Sequence, residues 1–307
     1  MTPRDRGFAL IAVLLVLAML GVVGAEFAYS MRLEAASVRT YKEGIIGTHL
    51  AEAAIAQATR EIVASFDFAC AAEDRQVTFY TKDGRMLPRL PRQQVTFGSG
   101  EFAYTIDDEE RLLNLNISPP DRLDRLLQNL GIEKATRDTI NDSIQDWRDA
   151  NDEHRVNGAE SDDTYLKLAV PYRARNGALE SITELLQIKG VTPTLYHGVE
   201  GKPGLAAAVT VRSPSQVNLN TADPVVLRAL NFSEAEISQI IQTRRDGCYT
   251  NLGQFGGRGV ILTSRTFRVK AEGLVDGRVV ARLTAVLQKR LDGGLPTIAV
   301  LEWLSAE

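Results

Sequence analysis

The sequence predicts an α+β fold: a long N-terminal helix leads into a small α/β domain with an antiparallel sheet, and a large helical insertion interrupts that domain. Three observations predict this fold. An uncharged apolar run lies near the N-terminus, strand-like segments lie towards both ends of the 307 residues, and a repeated helical pattern lies between them. With 44% hydrophobic and 24% charged residues, the composition is that of a folded protein. The formal net charge of −4 argues against a whole-chain electrostatic attachment to nucleic acid.

The N-terminal helix begins with residues 8–25, which contain neither a charged residue nor a proline. As a helix this run is roughly 27 Å long, enough to cross the hydrocarbon core of a bilayer. Helical spacing of apolar and small residues continues to residue 66, so we predict one helix over 8–66. Arg4 and Arg6 precede it, which places that end in the cytoplasm and the bulk of the chain in the periplasm. A cleaved signal peptide, the competing interpretation, has a shorter apolar region.

The sheet is predicted from short segments that turn-forming glycines and prolines separate. These segments are Gln76–Thr81, Gln93–Phe97, Glu101–Ile106, Ser264–Gly273, Arg278–Arg290 and Thr297–Leu304. Asp276-Gly277 lies between two of them and is a strong hairpin signal. We therefore predict one domain that consists of residues 67–106 and 264–307.

The middle of the chain contains an internal repeat. The sequence Asn-Leu-Asn occurs at 114–116 and again at 218–220. Each copy is followed by a proline, a leucine-rich helix, a short break and a second helix that ends near an arginine and an aspartate. Two helix–turn–helix units are therefore predicted, and Leu179–Thr192 is a third, similar piece.

These units place a helical insertion at 107–263, with related halves 107–205 and 206–263. Helical pairs of this kind resemble helix–hairpin–helix and SAM-like modules. A DNA-binding hairpin has two glycines in its turn, whereas Lys189–Thr192 has one, and no basic stripe accompanies it. We predict a packing role for these helices and no nucleic-acid partner.

Residues 142–163 form an acidic segment with eight acids and two arginines, a net charge of −6 over 22 residues. Asn157-Gly158 interrupts it and Trp147 and Tyr165 bound it, which is typical of a folded loop. Crowded carboxylates repel one another, and calcium relieves that repulsion because it accepts many oxygen ligands in irregular geometry. The spacing fails as an EF-hand, since His154 lies where glycine is needed. An irregular calcium loop and a solvated acidic face stay open as alternatives.

No enzyme is predicted. Two pairs of acids, Asp146 with Asp149 and Glu160 with Asp162, have the residue types of a hydrolase. However, no nucleophile motif, phosphate loop or dinucleotide fingerprint accompanies them. The two cysteines and three histidines also lack the spacing of a zinc site.

The N-terminal residues Arg6–Ile11, RGFALI, resemble the cleavage junction of type IV pilins and pseudopilins. In that class a prepilin peptidase cuts after the glycine, here Gly7, and the new N-terminal residue, here Phe8, is methylated. Residues 1–7 would then be a cytoplasmic leader peptide. Most members have a glutamate at the fifth mature position, where this chain has Ala12. That departure is itself a feature of the K minor pseudopilins of type II secretion.

The absence of this glutamate has a physical reason in a subunit at the tip of a filament. A buried carboxylate in the membrane is costly unless it is paired. In this class its partner is the N-terminal amine of the subunit above. A tip subunit has no subunit above it, so an apolar residue such as Ala12 is less costly.

The central domain carries the same resemblance. Asp146–Asp152, Asn157–Tyr165, Pro171–Gly177 and Glu184–Gly190 look very much like the matching segments of K pseudopilins. Members of that family bind calcium in the helical domain, which favours a calcium ion at the acidic loop. The predicted ligands are Asp149, Asn151, Asp152, Glu160, Asp162 and Asp163.

The resemblance implies a minor pseudopilin at the tip of the type II secretion pseudopilus, which nucleates its assembly for export of folded proteins across the outer membrane. It implies a single pass through the inner membrane and, as partners, the I- and J-type minor pseudopilins, the pseudopilus and the prepilin peptidase. The alternative is a single-pass anchored periplasmic binding module of unrelated role.

The two cysteines, Cys70 and Cys248, would lie in the oxidising periplasm, where a disulfide is chemically allowed. Their geometry does not follow from the sequence. We favour two small buried thiols over a bridge.

Overall fold

The computed structural model describes residues 3–306 except 65, 73, 75 and 215. Its helices are α1 (Pro3–Val63), α2 (Pro120–Asn129), α3 (Lys134–Arg148), α4 (Pro193–His197), α5 (Pro224–Ala229) and α6 (Glu234–Asp246). Its strands are β1 (Phe68–Ala71), β2 (Val77–Tyr80), β3 (Val95–Phe97), β4 (Gly100–Asp108), β5 (Leu113–Asn114), β6 (Gly198–Val199), β7 (Lys202–Pro203), β8 (Val209–Thr210), β9 (Val217–Asn218), β10 (Val260–Ile261), β11 (Thr266–Val275), β12 (Arg278–Asp292) and β13 (Leu295–Ala306).

Helix α1 is continuous, which confirms the single helix predicted from the sequence, and it ends at Val63 rather than at residue 66. Its N-terminal part is long and apolar enough to cross a membrane once. Residues 10–42 are exposed all around the helix, so the folded part of the chain leaves this stretch uncovered. The first two residues of the predicted leader lie outside the described part of the chain.

Five strands form an antiparallel sheet in the order β13-β12-β11-β4-β3. All six predicted strands are confirmed, and five of them belong to this sheet. The sixth, β2, pairs instead with β1, a strand that the sequence did not indicate. Asp276 and Gly277 turn the chain between β11 and β12 with positive φ values of 51° and 72°, as the hairpin signal predicts.

The C-terminal part of α1 packs on one face of this sheet. Leu50 and Ile62 are buried there in one hydrophobic core with Phe267 of β11. Helix and sheet lie close together at Gly47 and Gly273, where a Cβ atom on Gly273 would overlap the backbone of Gly47. Paired glycines therefore let the helix lie directly on the sheet.

The insertion has a second hydrophobic core, to which both copies of the repeat contribute. Each copy begins with a two-residue strand in a parallel pair, β5 with β8 and β9 with β10. In each copy the side-chain oxygen of the first asparagine accepts a hydrogen bond from the backbone N–H of the second. These distances are 2.7 Å from Asn114 to Asn116 and 2.9 Å from Asn218 to Asn220.

The second asparagine of each copy holds the segment that follows the second helix. Asn116 bonds both the N–H and the C=O of Leu179, at 2.8 and 2.9 Å. Asn220 does the same to Tyr249, at 2.8 and 3.0 Å. The second asparagine therefore makes the same pair of backbone hydrogen bonds in both copies, so the sequence repeat is also a structural repeat.

The third piece differs from the two repeats. It contains a 3₁₀ helix, Ile182–Gln187, which begins with a capping box between Ser181 and Glu184. The short helix α4 follows it. It lacks a helix comparable to α3 or α6, because the segment between Ser181 and Thr192 is too short for two α-helices.

Cys70 and Cys248 form a disulfide, with their Cα atoms 6.0 Å apart. The expectation of two free thiols is therefore wrong. Alternation along β1 explains the pairing: Phe68 and Cys70 face the core of the insertion, whereas Ala69 faces the core of the sheet. The β1–β2 hairpin thus lies between the two cores, and the disulfide ties it to the insertion.

Candidate functional site

The acidic loop follows α3 and is organised around Asp146, which is fully buried in the last turn of that helix. Its carboxylate accepts hydrogen bonds from the backbone N–H groups of Arg155 at 3.1 Å and Ala159 at 2.9 Å. The Arg155 guanidinium adds an ion pair at 2.6 Å. A side chain at Gly158 would overlap the Asp146 carboxylate. Asp146 therefore folds the loop over itself, a role that sequence reasoning did not assign to it.

Glu160 is the most unusual predicted ligand. Its side chain is buried, and neither carboxylate oxygen has a hydrogen-bond partner within the described structure. Burial first, and then the charges of Asp146, Asp149 and Asp152, raise the pKa of Glu160 to about 7. A buried carboxylate without a partner is costly, so Glu160 must either bind a proton or receive a cation.

Two further side-chain oxygens, one in the acidic loop and one on a residue that bonds to it, are also buried without a partner in the described structure. Asp149 uses one carboxylate oxygen for Arg155, at 2.6 Å, and its other oxygen is buried without a hydrogen-bond partner in the described structure. The amide of Asn176 donates to Asp152 at 3.0 Å, while its buried carbonyl oxygen accepts no described hydrogen bond. Carboxylate and amide oxygens are the ligands that calcium prefers. Their chemistry fits the predicted ion.

Three other predicted ligands, Asn151, Asp162 and Asp163, make different contacts or face the solvent. Asn151 accepts a hydrogen bond from the backbone N–H of Glu153 at 2.9 Å, and Asp163 accepts one from the backbone N–H of Glu160 at 2.9 Å. Asp162 is exposed. Among the residues that the structure describes, no three side chains of Asp, Glu, His or Cys lie close enough to hold a metal ion by themselves.

Asn176 was not among the predicted ligands. The only sequence signal for it is the dipeptide Asn176-Gly177, which marks a turn. Asn176 has a positive φ of 50°, a conformation that asparagine tolerates well.

An aromatic cluster supports the loop from the interior of the insertion. The ring of Tyr165 stacks on Tyr172 at 5.2 Å and meets Trp147 edge-on at 5.3 Å. The Trp147 indole N–H donates to Glu184 at 3.2 Å, and Lys189 donates to the carbonyl of Gly158 at 2.9 Å. These contacts attach the backbone on both sides of Glu160 to the interior of the insertion.

The other candidate site is the N-terminal junction. Gly7 and Phe8 both lie within the backbone of α1. Ala12, the fifth residue of the predicted mature chain, lies in the exposed stretch of this helix. Processing at this junction stays a prediction.

Comparisons with known proteins show which proteins this chain is similar to. A family model described as Type II secretion system (T2SS), protein K, matches residues 109–201. Type II secretion system protein K of Pectobacterium carotovorum subsp. carotovorum is 28% identical over 251 residues, which are 78% of this chain and 74% of the relative. The protein K of Pseudomonas aeruginosa is 26% identical and covers 97% of this chain and 93% of its own length.

A solved structure has the same fold. It is a chain from the crystal structure of the GspK-GspI-GspJ complex of the enterotoxigenic Escherichia coli type 2 secretion system. The match has a TM-score of 0.61 at 18% identity and covers 89% of this chain and 99% of the other. The predicted fold class and the resemblance to the K family are therefore confirmed.

Proposed function

We propose that this chain, a minor pseudopilin of type II secretion similar to protein K, lies at the tip of the pseudopilus and nucleates its assembly. One observation carries the proposal: α1 is uncovered over residues 10–42 while its C-terminal part packs on the sheet. The apolar part of this stretch, residues 10–25, needs other helices or lipid to cover it. Ala12 in place of a glutamate favours the end of a filament, where no amine lies above it.

The partners that we propose are the I- and J-type minor pseudopilins and the rest of the pseudopilus. The solved chain with the same fold comes from a complex of these three subunits. We place the chain in the inner membrane with its N-terminus in the cytoplasm, because Arg4 and Arg6 precede the apolar stretch. A prepilin peptidase would remove residues 1–7 there and Phe8 would be methylated. The role is structural rather than catalytic.

Co-purification tests this proposal. The full chain, extracted in detergent, should bind the cognate I- and J-type subunits in a complex with one copy of each. A deletion strain should regain secretion of folded proteins when the chain is supplied. If the chain purifies alone and the strain secretes normally without it, the anchored binding module of unrelated role becomes the better interpretation.

We further propose that the acidic loop holds a structural calcium ion. Asp149, Asp152, Glu160 and Asn176 supply the oxygens that support this proposal, since several of them are buried without a donor. Asn151, Asp162 and Asp163 would join them after a local adjustment of the loop, together with water. When bound, calcium would neutralise the crowded carboxylates and stiffen the loop.

A further inference from the structure

Three consecutive acids lie where the chain passes from the sheet into the insertion. Asp108 ends β4, and Glu109 and Glu110 follow it; all three residues are at most 2% exposed. The chain returns beside them, at Ser264 and Thr266, where β11 begins. The two crossings between sheet and insertion therefore meet at one buried acidic cluster.

Every hydrogen bond that the described residues donate to Asp108 comes from a neutral group. One carboxylate oxygen accepts from the amide of Asn218 at 2.9 Å and from the hydroxyls of Thr221 and Ser264 at 2.6 Å each. The other accepts from the backbone N–H of Glu110 at 2.8 Å. Asn218 and Thr221 belong to the second repeat, so Asp108 joins the end of β4 directly to the insertion.

Glu110 has the same kind of partners. One of its carboxylate oxygens accepts from the backbone N–H groups of Arg265 at 2.8 Å and Thr266 at 3.0 Å. Glu110 therefore ties the start of the insertion to its end. As with Asp108, every hydrogen bond described for this carboxylate comes from a neutral donor.

Charged side chains on the neighbouring elements bind groups other than Asp108 and Glu110. Arg268 of β11 pairs with Glu109 at 2.9 Å and with Glu302 of β13 at 3.4 Å. Lys270 pairs with Asp107, and Arg111 pairs with Asp223. The Arg244 guanidinium donates hydrogen bonds to the carbonyls of Leu219 and Ala222. The charge that acts most strongly on Glu110 is the like charge of Asp108.

We propose that Asp108 and Glu110 form a proton-dependent clasp, which holds the insertion on the sheet more firmly as the pH falls. Burial raises the pKa of Asp108. Burial, and then the Asp108 charge, raise the pKa of Glu110 to about 7. An acid whose pKa is raised on folding binds its proton more tightly in the folded state. The stabilisation is therefore complete below the unfolded pKa of about 4.3 and is lost as the pH rises through about 7.

The two tryptophans allow each part of the molecule to be followed separately. Trp147 lies in the core of the insertion and Trp303 on β13 of the sheet. Urea unfolding of the full chain in detergent would be recorded between pH 5 and 8 in the Trp147→Phe and Trp303→Phe backgrounds. In both, the unfolding equilibrium constant should rise with pH, by up to about tenfold per pH unit from this site.

Glu110→Gln should remove the part of the slope that Glu110 contributes, because an amide oxygen still accepts both backbone hydrogen bonds but carries no titrating proton. The part from Glu160, whose pKa is also raised to about 7, should remain. Glu109→Gln is the matched control: it breaks the pair with Arg268 and lowers the urea midpoint, yet leaves the slope. If Glu110→Gln does not fold, Asp108→Asn replaces it and should shift the steep region to lower pH. If the unfolding equilibrium constant of Glu110→Gln, or of Asp108→Asn, depends on pH in the same way as that of the unsubstituted chain, the proposal is wrong.

Discussion

Cys70 and Cys248 are bonded to each other although 178 residues separate them in sequence, with their Cα atoms 6.0 Å apart. Cys70 belongs to the hairpin that lies between the two cores, and Cys248 follows the last helix of the insertion. The bond closes a loop that contains nearly the whole insertion. It therefore limits how far the unfolded chain can separate the hairpin from α6.

The first prediction concerns this disulfide. Replacing both cysteines by serine should lower the free energy of unfolding by about 2–5 kcal/mol, because a long loop is no longer closed in the unfolded state. Urea unfolding of the full chain measures the change. Thiol counting on the unfolded, unreduced protein should find no free thiol, and two free thiols would show that the bond does not form.

The second prediction concerns the arginines that end the second helix of each repeat. Arg148 donates to the carbonyls of Leu115 and Asn116, and Arg244 to those of Leu219 and Ala222. Replacing either by alanine leaves buried carbonyls without donors and should cost about 2–4 kcal/mol of stability. Arg245→Ala, at an exposed neighbouring position, is the control and should cost less than about 0.5 kcal/mol. Equal losses in Arg244→Ala and Arg245→Ala would contradict this reading of the repeat.

The third prediction concerns the N-terminal junction. Intact mass of the protein extracted from membranes should show the loss of residues 1–7 and one added methyl group. Gly7→Val should block this cleavage, because the peptidase must approach the backbone closely at that position. Ala9→Val is a control of similar size just beyond the junction and should be processed. A mature N-terminus beyond Ala25 would indicate an ordinary signal peptide and count against the pseudopilin.

Local patterns were sufficient to predict the long helix, six of the strands and the repeat. Continuous helical spacing identified α1, and the Asp276-Gly277 turn placed β11 and β12 side by side. The family resemblance, which rests on residues spread along the whole chain, also led to the correct fold.

Features that depend on tertiary contacts could not be predicted in this way. Asp108–Glu110 looks like a solvated charged run in the sequence, and its burial results from the meeting of β4 with β11. Asp146 and Glu160 were equally acidic members of one segment. Only the folded loop distinguishes Asp146, which has several donors, from Glu160, which has none described. The pairing of Cys70 with Cys248 likewise required knowledge of which face of β1 meets the insertion.

The last prediction concerns calcium at the acidic loop. An ion that binds only the folded state at a hundredfold excess over its Kd stabilises that state by about 2.7 kcal/mol. That corresponds to roughly 5–10 °C in Tm for a domain of this size. A chelator should therefore lower the Tm of the full chain, and millimolar calcium should restore it better than magnesium, which demands a stricter octahedral geometry.

Two variants of the same loop distinguish a built site from a merely acidic surface. Glu160→Gln should abolish the calcium response, because it removes the buried carboxylate that has no described donor. It should also raise the Tm of the calcium-free protein, since the buried charge is gone. Glu153→Gln removes the same charge from an exposed position of the same loop that is not a proposed ligand, and should retain most of the response. If both variants reduce the calcium response equally, the ion is held by diffuse surface charge. A Tm that neither chelator nor calcium changes would show that the loop binds no calcium.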